Sequence, residues 1–469
     1  MGTVTLTDIR IADQNLDTMP LLNTLRRNSF SAKAQVCIER ANYVTTFLRD
    51  MAQPEESMEI RYSRAVNHFL TNKLPLFPDD SLLAGTTSSK PFGAPVYPEL
   101  TGMTIWPELD TMSAREKNPQ RISREDADEL NLNIFPYWME RSILEATRSR
   151  EGNPPCMKLF ERIVFFIASK AGAISHTVPC YTTALEKGLE ALITEAASHE
   201  QQLTGKDTLS ADETQQLDFY RATQIALQGI IAYATRLSNK AAELALREMN
   251  PARKANFEAM SAVCAQVPAK PARTFREALN GLWILQIAIH AENINMAISP
   301  GRLDQILFPW YQRDVASGNL TTKEALELVG CLWLKLNDNT NLIPETGEEL
   351  FGGAGTVPAV TLGGIDEDGE DAVNDLTYIM LRVTELLKTR DPSLNARYHR
   401  EKNSAAYRDR VAEVIANTKS APAFYNDLSA IKTLENQGIA TRDARITPLS
   451  AAWSCPPQAA VTTLPAPSC

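Results

Sequence analysis

Apolar positions recur at helical spacing along most of the first part of the chain. Between residues 20 and 75, charged and apolar side chains alternate with that period. AKAQVCIERANYVTTFLRDM (Ala32–Met51) and EESMEIRYSRAVNHFLTNKL (Glu55–Leu74) both predict amphipathic helices. FPDDSLLAGTTSSKPFGAPVYPEL (Phe77–Leu100) is dense in Pro, Gly and Ser, and reads as loop with short extended pieces. Helix resumes over 123–170, starting at SREDADEL, where Ser123 is placed to cap and acids fill the first turn. A strongly helical stretch covers 208–248. Asn250–Pro268, Thr274–Glu292 and Thr321–Thr340 follow with the same period, separated in part by Pro-rich breaks.

The pattern then changes. TVPAVTLGG (Thr356–Gly364) is β-branched and ends in a glycine pair, which predicts a strand. A helix over Asp371–Lys388, a strand-like PSLNARYH (Pro392–His399), a helix over Ala405–Thr418 and a strand-like APAFYND (Ala421–Asp427) come next. This alternation predicts an α/β arrangement in the C-terminal half. There is no internal repeat.

Composition narrows the classes. The 469 residues suffice for a large core, and 44% hydrophobic and 22% charged residues are ordinary globular values. A net charge of −10 without a Lys/Arg run argues against a nucleic-acid surface. No apolar run is long enough to span a bilayer, and the N-terminus lacks a basic-then-apolar signal pattern, so a cytoplasmic protein with no membrane contact is expected. Cys37, Cys156, Cys180, Cys264, Cys331, Cys455 and Cys469 are far apart and odd in number. They read as free thiols with no metal site, the first five buried.

Several constellations could carry chemistry. Arg302 and Asp304, in SPGRLDQILFPWYQRD, fit a substrate contact or, better, a turn held by their ion pair. His176, in AISHTVPCY, lies in a non-helical segment that could line a pocket, although a lone histidine is more often structural. Gly352, Gly353 and Gly355 match neither a phosphate loop nor a dinucleotide turn and read as tight packing. Asp427 could be catalytic or could cap the following helix.

Certain segments, taken together and in order, resemble the pyruvate formate-lyase-like domain of glycyl radical enzymes. They are VCIERA (Val36–Ala41), DDSLLAG, KPFGAPVYPEL, LDTMSAREKNPQRIS, SPGRLDQILFPWY, VTLGG, DAVNDLTY, PSLNARYH and PAFYND, and they cover Gln35 to Arg445. The likeness is closer to the dehydratase and lyase branch than to pyruvate formate-lyase. It implies a ten-stranded α/β barrel surrounded by helices. This chain would supply the N-terminal part and first barrel half over residues 1–445, mostly helical to about 290. The family's chemistry uses a glycyl radical, installed by a radical S-adenosylmethionine activase, and a cysteine in a Gly-Cys-Val-Glu motif. No cofactor is bound directly.

In the family, DAR continues as Asp-Tyr and runs into that motif. Here ITPLSAAWSCPPQAAVTTLPAPSC (Ile446–Cys469) follows Arg445, with no acid or base and no period. Read one base out of register, codons available to Arg445–Thr447 encode Asp-Tyr. In the same frame, codons available to Ser450–Pro456 encode Gly-Cys-Val-Glu-Leu-Pro. Residues 446–469 are therefore expected to be an out-of-frame tail, and Cys455 is not the motif cysteine.

The resemblance implies a radical C–X lyase or dehydratase, truncated and inactive as written, with no catalytic residue of its own. It assigns substrate contacts to His176, Val357 and Pro358, with His176 favouring a small hydroxylated substrate. Ala297 stands where diol-type dehydratases have Ser, which speaks against plain glycerol or propanediol. The implied partners are the small-molecule substrate, the activase and, at full length, a second copy. Formate C-acetyltransferase proper and a non-catalytic binding protein or pseudogene product remain alternatives.

Overall fold

The computed structural model describes residues 14–150, 177–293, 297–351 and 355–449. Most of the predicted helices form, and their starts follow from side-chain caps. Ser123 Oγ accepts from the Asp126 amide at 3.0 Å. Ser210 with Glu213 and Thr321 with Glu324 form reciprocal capping boxes. Thr274 Oγ1 accepts from Glu277 N at 3.1 Å and starts the Phe275–Glu292 helix.

That helix is apolar nearly all round and is buried along its length, from Phe275 to Ala291. It is the spine of the principal core, together with Thr322–Asn337 and Asp375–Leu387. Trp283 and Trp333 are fully enclosed. Each ring N–H is matched, to the Gly85 carbonyl at 3.1 Å and to Thr384 Oγ1 at 3.0 Å. Burying side chains of this kind contributes roughly 1.5–3 kcal/mol apiece for the aliphatic ones alone.

Five strands are described: β1 (Gln35–Cys37), β2 (Gly93–Pro95), β3 (Ala359–Gly363), β4 (Ser393–Tyr398) and β5 (Ala423–Asn426). All their pairings are parallel. β1 pairs with β2, and β3-β4-β5 form a second sheet. The connections β3 to β4 and β4 to β5 run through the Asp375–Leu387 and Ala405–Thr418 helices, which is the βαβ unit that parallel pairing requires. β3 is buried at all five positions, as a strand covered on both faces should be. β5 is more open: Phe424 is exposed.

Two expectations change. Ala32–Met51 is not one helix, because Gln35–Cys37 is strand and only Glu39–Thr46 forms an α-helix, followed by a π-helical turn at Phe47–Met51. Val36 N donates to the Arg121 carbonyl at 2.8 Å and Gln35 N to the Phe92 carbonyl at 3.0 Å, so distant backbone overrides the local period. Cys180 is exposed, whereas Cys37, Cys264 and Cys331 are buried as expected, and Cys156 lies outside the described residues. Among the described residues, no helix is long and apolar enough to cross a membrane.

Candidate functional site

Three segments that are far apart in sequence meet beside β3. The Ser299 amide donates to the Thr177 carbonyl at 2.9 Å. The Ala297 amide donates to the Thr356 carbonyl at 2.6 Å, and the Ala359 amide to Ser299 Oγ at 3.0 Å. Thr361 N reaches the Gly301 carbonyl at 2.9 Å, continuing the wall alongside β3. Behind it, Gln286 joins two of the segments: its Oε1 accepts from the Tyr181 hydroxyl, and its Nε2 donates to the Ile298 carbonyl at 2.8 Å. His290, one turn on, lies 3.3 Å from Gln286 Nε2, and burial pushes its imidazole down to about 3. It is therefore neutral at ordinary pH.

This wall contains the sequence-predicted residues unequally. Val357 is 39% exposed and so is open to a ligand. Pro358 is buried, and its carbonyl accepts from Ser393 N at 2.9 Å. His176 lies outside the described residues, but Thr177, which follows it, is bound to Ser299. Ala297 and Val357 both have left-handed backbone, at φ 52° and 51°. That region is costly for a β-branched residue, and such outliers gather at ligand sites. Gly352 and Gly353 lie outside the described residues. A Cβ on Gly355 would come within 3.0 Å of Asp391 Oδ2, in keeping with tight packing there.

A buried polar cluster sits at the C-terminal ends of the strands. Arg397 on β4 donates through Nε to Asp427, and both are almost completely buried. Its Nη1 reaches the carbonyls of Arg445 at 2.7 Å and Thr447 at 2.9 Å. Arg302 donates to the carbonyls of Gly363 at 2.6 Å, Ile365 at 2.9 Å and Arg445 at 3.2 Å. Asp304 accepts from Gly363 N at 2.8 Å and from the Thr377 hydroxyl at 2.7 Å.

Two expectations are corrected here. Arg302 and Asp304 do not form an ion pair; each is spent on backbone and hydroxyl partners. Burial pushes the Arg302 guanidinium down to about 10, with Arg397 adding to the effect. It also raises the Asp304 carboxyl, against the attraction of Arg302. Asp427 is not the cap: Asn426 Oδ1 accepts from Leu428 N at 3.1 Å, and Asp427 is buried against Arg397 and the Ile365 amide.

The cluster explains the glycine pair. Gly363 and Gly364 have φ 64° and 74°. A Cβ on Gly364 would lie 2.6 Å from Asp427 Oδ2, and one on Gly363 would strike the Tyr407 hydroxyl. Sequence reasoning missed Arg397, Thr361, Tyr181, Gln286 and His290. The available signal was Arg397 itself, the one charge in a predicted strand, where burial requires a partner.

In chemical terms the wall can bind and orient. The described thiols bond to neutral groups: Cys37 to Ser89, Cys180 to Thr183 and Cys264 to Asn280. Burial pushes Cys264 up to about 12 and Cys331 up to about 11, so neither is a ready nucleophile. Among the described residues no group of His, Cys, Asp and Glu could hold a metal ion.

The fold and site define a helix-clad, parallel-stranded α/β domain of the type that makes up part of an α/β barrel. The pyruvate formate lyase-like family profile matches residues 16–450, and the chain belongs to that family. It is 29% identical over 432 residues to isethionate sulfite-lyase of Nitratidesulfovibrio vulgaris, covering 90% of this chain and 51% of that protein. It is 31% identical over 430 residues to trans-4-hydroxy-L-proline dehydratase of Clostridioides difficile, covering 90% and 53%. A glycyl radical enzyme from Archaeoglobus fulgidus superposes with a TM-score of 0.86 at 31% identity, over 92% of this chain and 55% of that one. Hydroxyproline dehydratase from Clostridioides difficile, solved with trans-4-hydroxy-L-proline bound, superposes at 0.85 with 27% identity, over 92% and 54%. The chain spans about half the length of the curated relatives it matches. The expected family and partial barrel are thereby borne out, and the relatives are glycyl radical lyases and dehydratases.

Proposed function

We propose that the chain is the N-terminal part of a glycyl radical C–X lyase or dehydratase acting on a small hydroxylated substrate. The observation that carries this is the Ser299–Thr177 bond, which ties the segment following His176 to the wall that bears Val357. In this reading His176 bonds a substrate hydroxyl, Val357 supplies an apolar contact and Pro358 stiffens the wall beside it. Relatives named for isethionate, hydroxyproline and 3-sulfopropanediol support a polar, hydroxylated substrate class. In the complete enzyme the glycyl radical supplies hydrogen-atom abstraction by way of a cysteine thiyl. The described residues contribute orientation and exclusion of water.

Residues 446–469 are, in the same proposal, an out-of-frame translation of the segment that would bear the cysteine and its glutamate, so the chain as written is inactive. The full-length protein acts in the cytoplasm, needs a radical S-adenosylmethionine activase and pairs with a second copy.

The test is the nucleotide sequence beyond codon 445, followed by anaerobic expression of the frame-restored gene with its activase. A glycyl radical doublet by electron paramagnetic resonance and turnover of a hydroxylated sulfonate, diol or hydroxyproline are expected. His176→Ala should then raise KM for that substrate. A downstream sequence with no Gly-Cys-Val-Glu frame, or turnover of pyruvate with coenzyme A instead, would overturn the reading.

A further inference from the structure

Among the described residues, every polar side chain from elsewhere in the fold that grips the segment from Arg445 to Leu449 grips main-chain atoms. Arg397 Nη1 takes the carbonyls of Arg445 and Thr447, and Arg302 Nη1 takes the Arg445 carbonyl again. The Thr361 hydroxyl accepts from Leu449 N at 2.9 Å and donates to Leu449 O at 3.2 Å, so one hydroxyl serves both backbone groups of a single residue. Thr361 is fully buried on β3, and Arg397 lies on the adjacent strand, paired with Gly363 two residues further along. The side chain of Thr447 makes only a local bond, to the Asp443 carbonyl at 2.6 Å.

We infer that Thr361 and Arg397 are positioning residues that fix the path of residues 445–449 through main-chain bonds and without regard to side-chain identity. A guanidinium suits this task because its planar fork makes several bonds in a fixed geometry, and the buried pair with Asp427 fixes the fork in turn. A buried hydroxyl suits it because it can donate and accept at once. The consequence is specific. The segment Ile446-Thr447-Pro448-Leu449 keeps this course although its side chains are, on the proposed reading, not those of the family. A frame-restored sequence would be led along the same course toward the wall at Ser299 and Val357. This last step rests on the proposed function; the grip itself does not.

Hydrogen–deuterium exchange on the chain as it stands separates the two. Thr361→Val keeps the shape and core packing of β3 but removes the hydroxyl. It should speed exchange of the Leu449 amide by about tenfold or more while the amides of β3 and β4 keep their protection. Thr361→Ser should restore slow exchange. Arg397→Lys, which keeps the charge but loses the fork, should loosen the main chain at Thr447. Thr447→Val should leave the Leu449 amide as slow as in the unaltered chain. Unchanged exchange in Thr361→Val, or fast exchange at Leu449 in Thr447→Val, would overturn the inference. Neither result bears on whether a glycyl radical forms in the frame-restored enzyme.

Discussion

The amide of Ala297 donates to the carbonyl of Thr356 at 2.6 Å, and the residues on either side of that bond, Ala297 and Val357, both have positive φ. Two loops are thus held against each other where each has a residue in left-handed backbone. Asp391 secures the arrangement from beneath by accepting from Thr356 N at 3.1 Å. The strain is worth on the order of 1–3 kcal/mol at a β-branched residue.

Val357→Gly should therefore stabilise the chain by about 0.5–1.5 kcal/mol. The relief of strain exceeds the roughly 0.5–1 kcal/mol that glycine's extra freedom ordinarily costs. Urea denaturation reads the sign directly. A loss of stability, as at an ordinary loop position, would show that Val357 is unstrained.

Gly364 gives the opposite result. Gly364→Ala introduces a Cβ 2.6 Å from Asp427 Oδ2 and 2.9 Å from Arg397 Cβ, at a φ of 74°. None of these atoms is the free end of a flexible chain. A destabilisation of about 2–4 kcal/mol is expected. Gly318, also at positive φ but with nothing near its Cβ, is the control: there alanine should cost only about 1–2 kcal/mol.

These cases mark what was legible in the sequence. The helix start at Ser123 was readable because a cap and its partner lie within four residues of each other; Ser210 and Thr321 carry the same local signal, although only the helical period was read there. The VTLGG strand was readable because β-branched residues end in a glycine pair, but the reason for the pair was not. That reason is Tyr407 and Asp427, which lie far along the chain. β1 was hidden for the same cause: three residues whose hydrogen bonds go to Phe92 and Arg121 carry no period of their own. Of the wall, the expectation at Val357 came only through resemblance, whereas the Gln286 link between Tyr181 and Ile298 depends on three separate segments and leaves no local trace.

Arg397 and Asp427 offer a test of a buried ion pair. Removing one partner leaves the other enclosed and uncompensated, so Asp427→Ala should cost about 3–5 kcal/mol. Arg397→Met combined with Asp427→Leu should recover a large part of that loss, because no charge then remains buried. The double variant should nevertheless show faster amide exchange over residues 445–449, since the carbonyls of Arg445 and Thr447 lose their Arg397 donor and the segment opens more often. A double variant no more stable than Asp427→Ala would show that the Arg397 contacts to backbone, rather than the pair, dominate.

Asp338 gives stability a pH dependence of known sign. Burial pushes its carboxyl up to about 6, with Asp79 adding to the rise, while the Ser29 hydroxyl, Lys335 and Arg390 oppose it. The folded chain therefore holds this proton more tightly than the unfolded chain does. Its contribution to stability is fully present at low pH and is lost as pH rises from about 4 through about 6. His290 acts with the opposite slope. Its imidazole is pushed down to about 3 by burial, so the unfolded chain binds that proton more tightly, and stability is lost as pH falls from about 6.5 toward 3. Asp338→Asn, which stays neutral and can still bond Ser29, should remove the falling component. Between pH 4 and 6 its stability relative to the unaltered chain should rise steadily with pH. A difference that stays constant across that interval in urea titrations would show that Asp338 ionises normally in the folded chain.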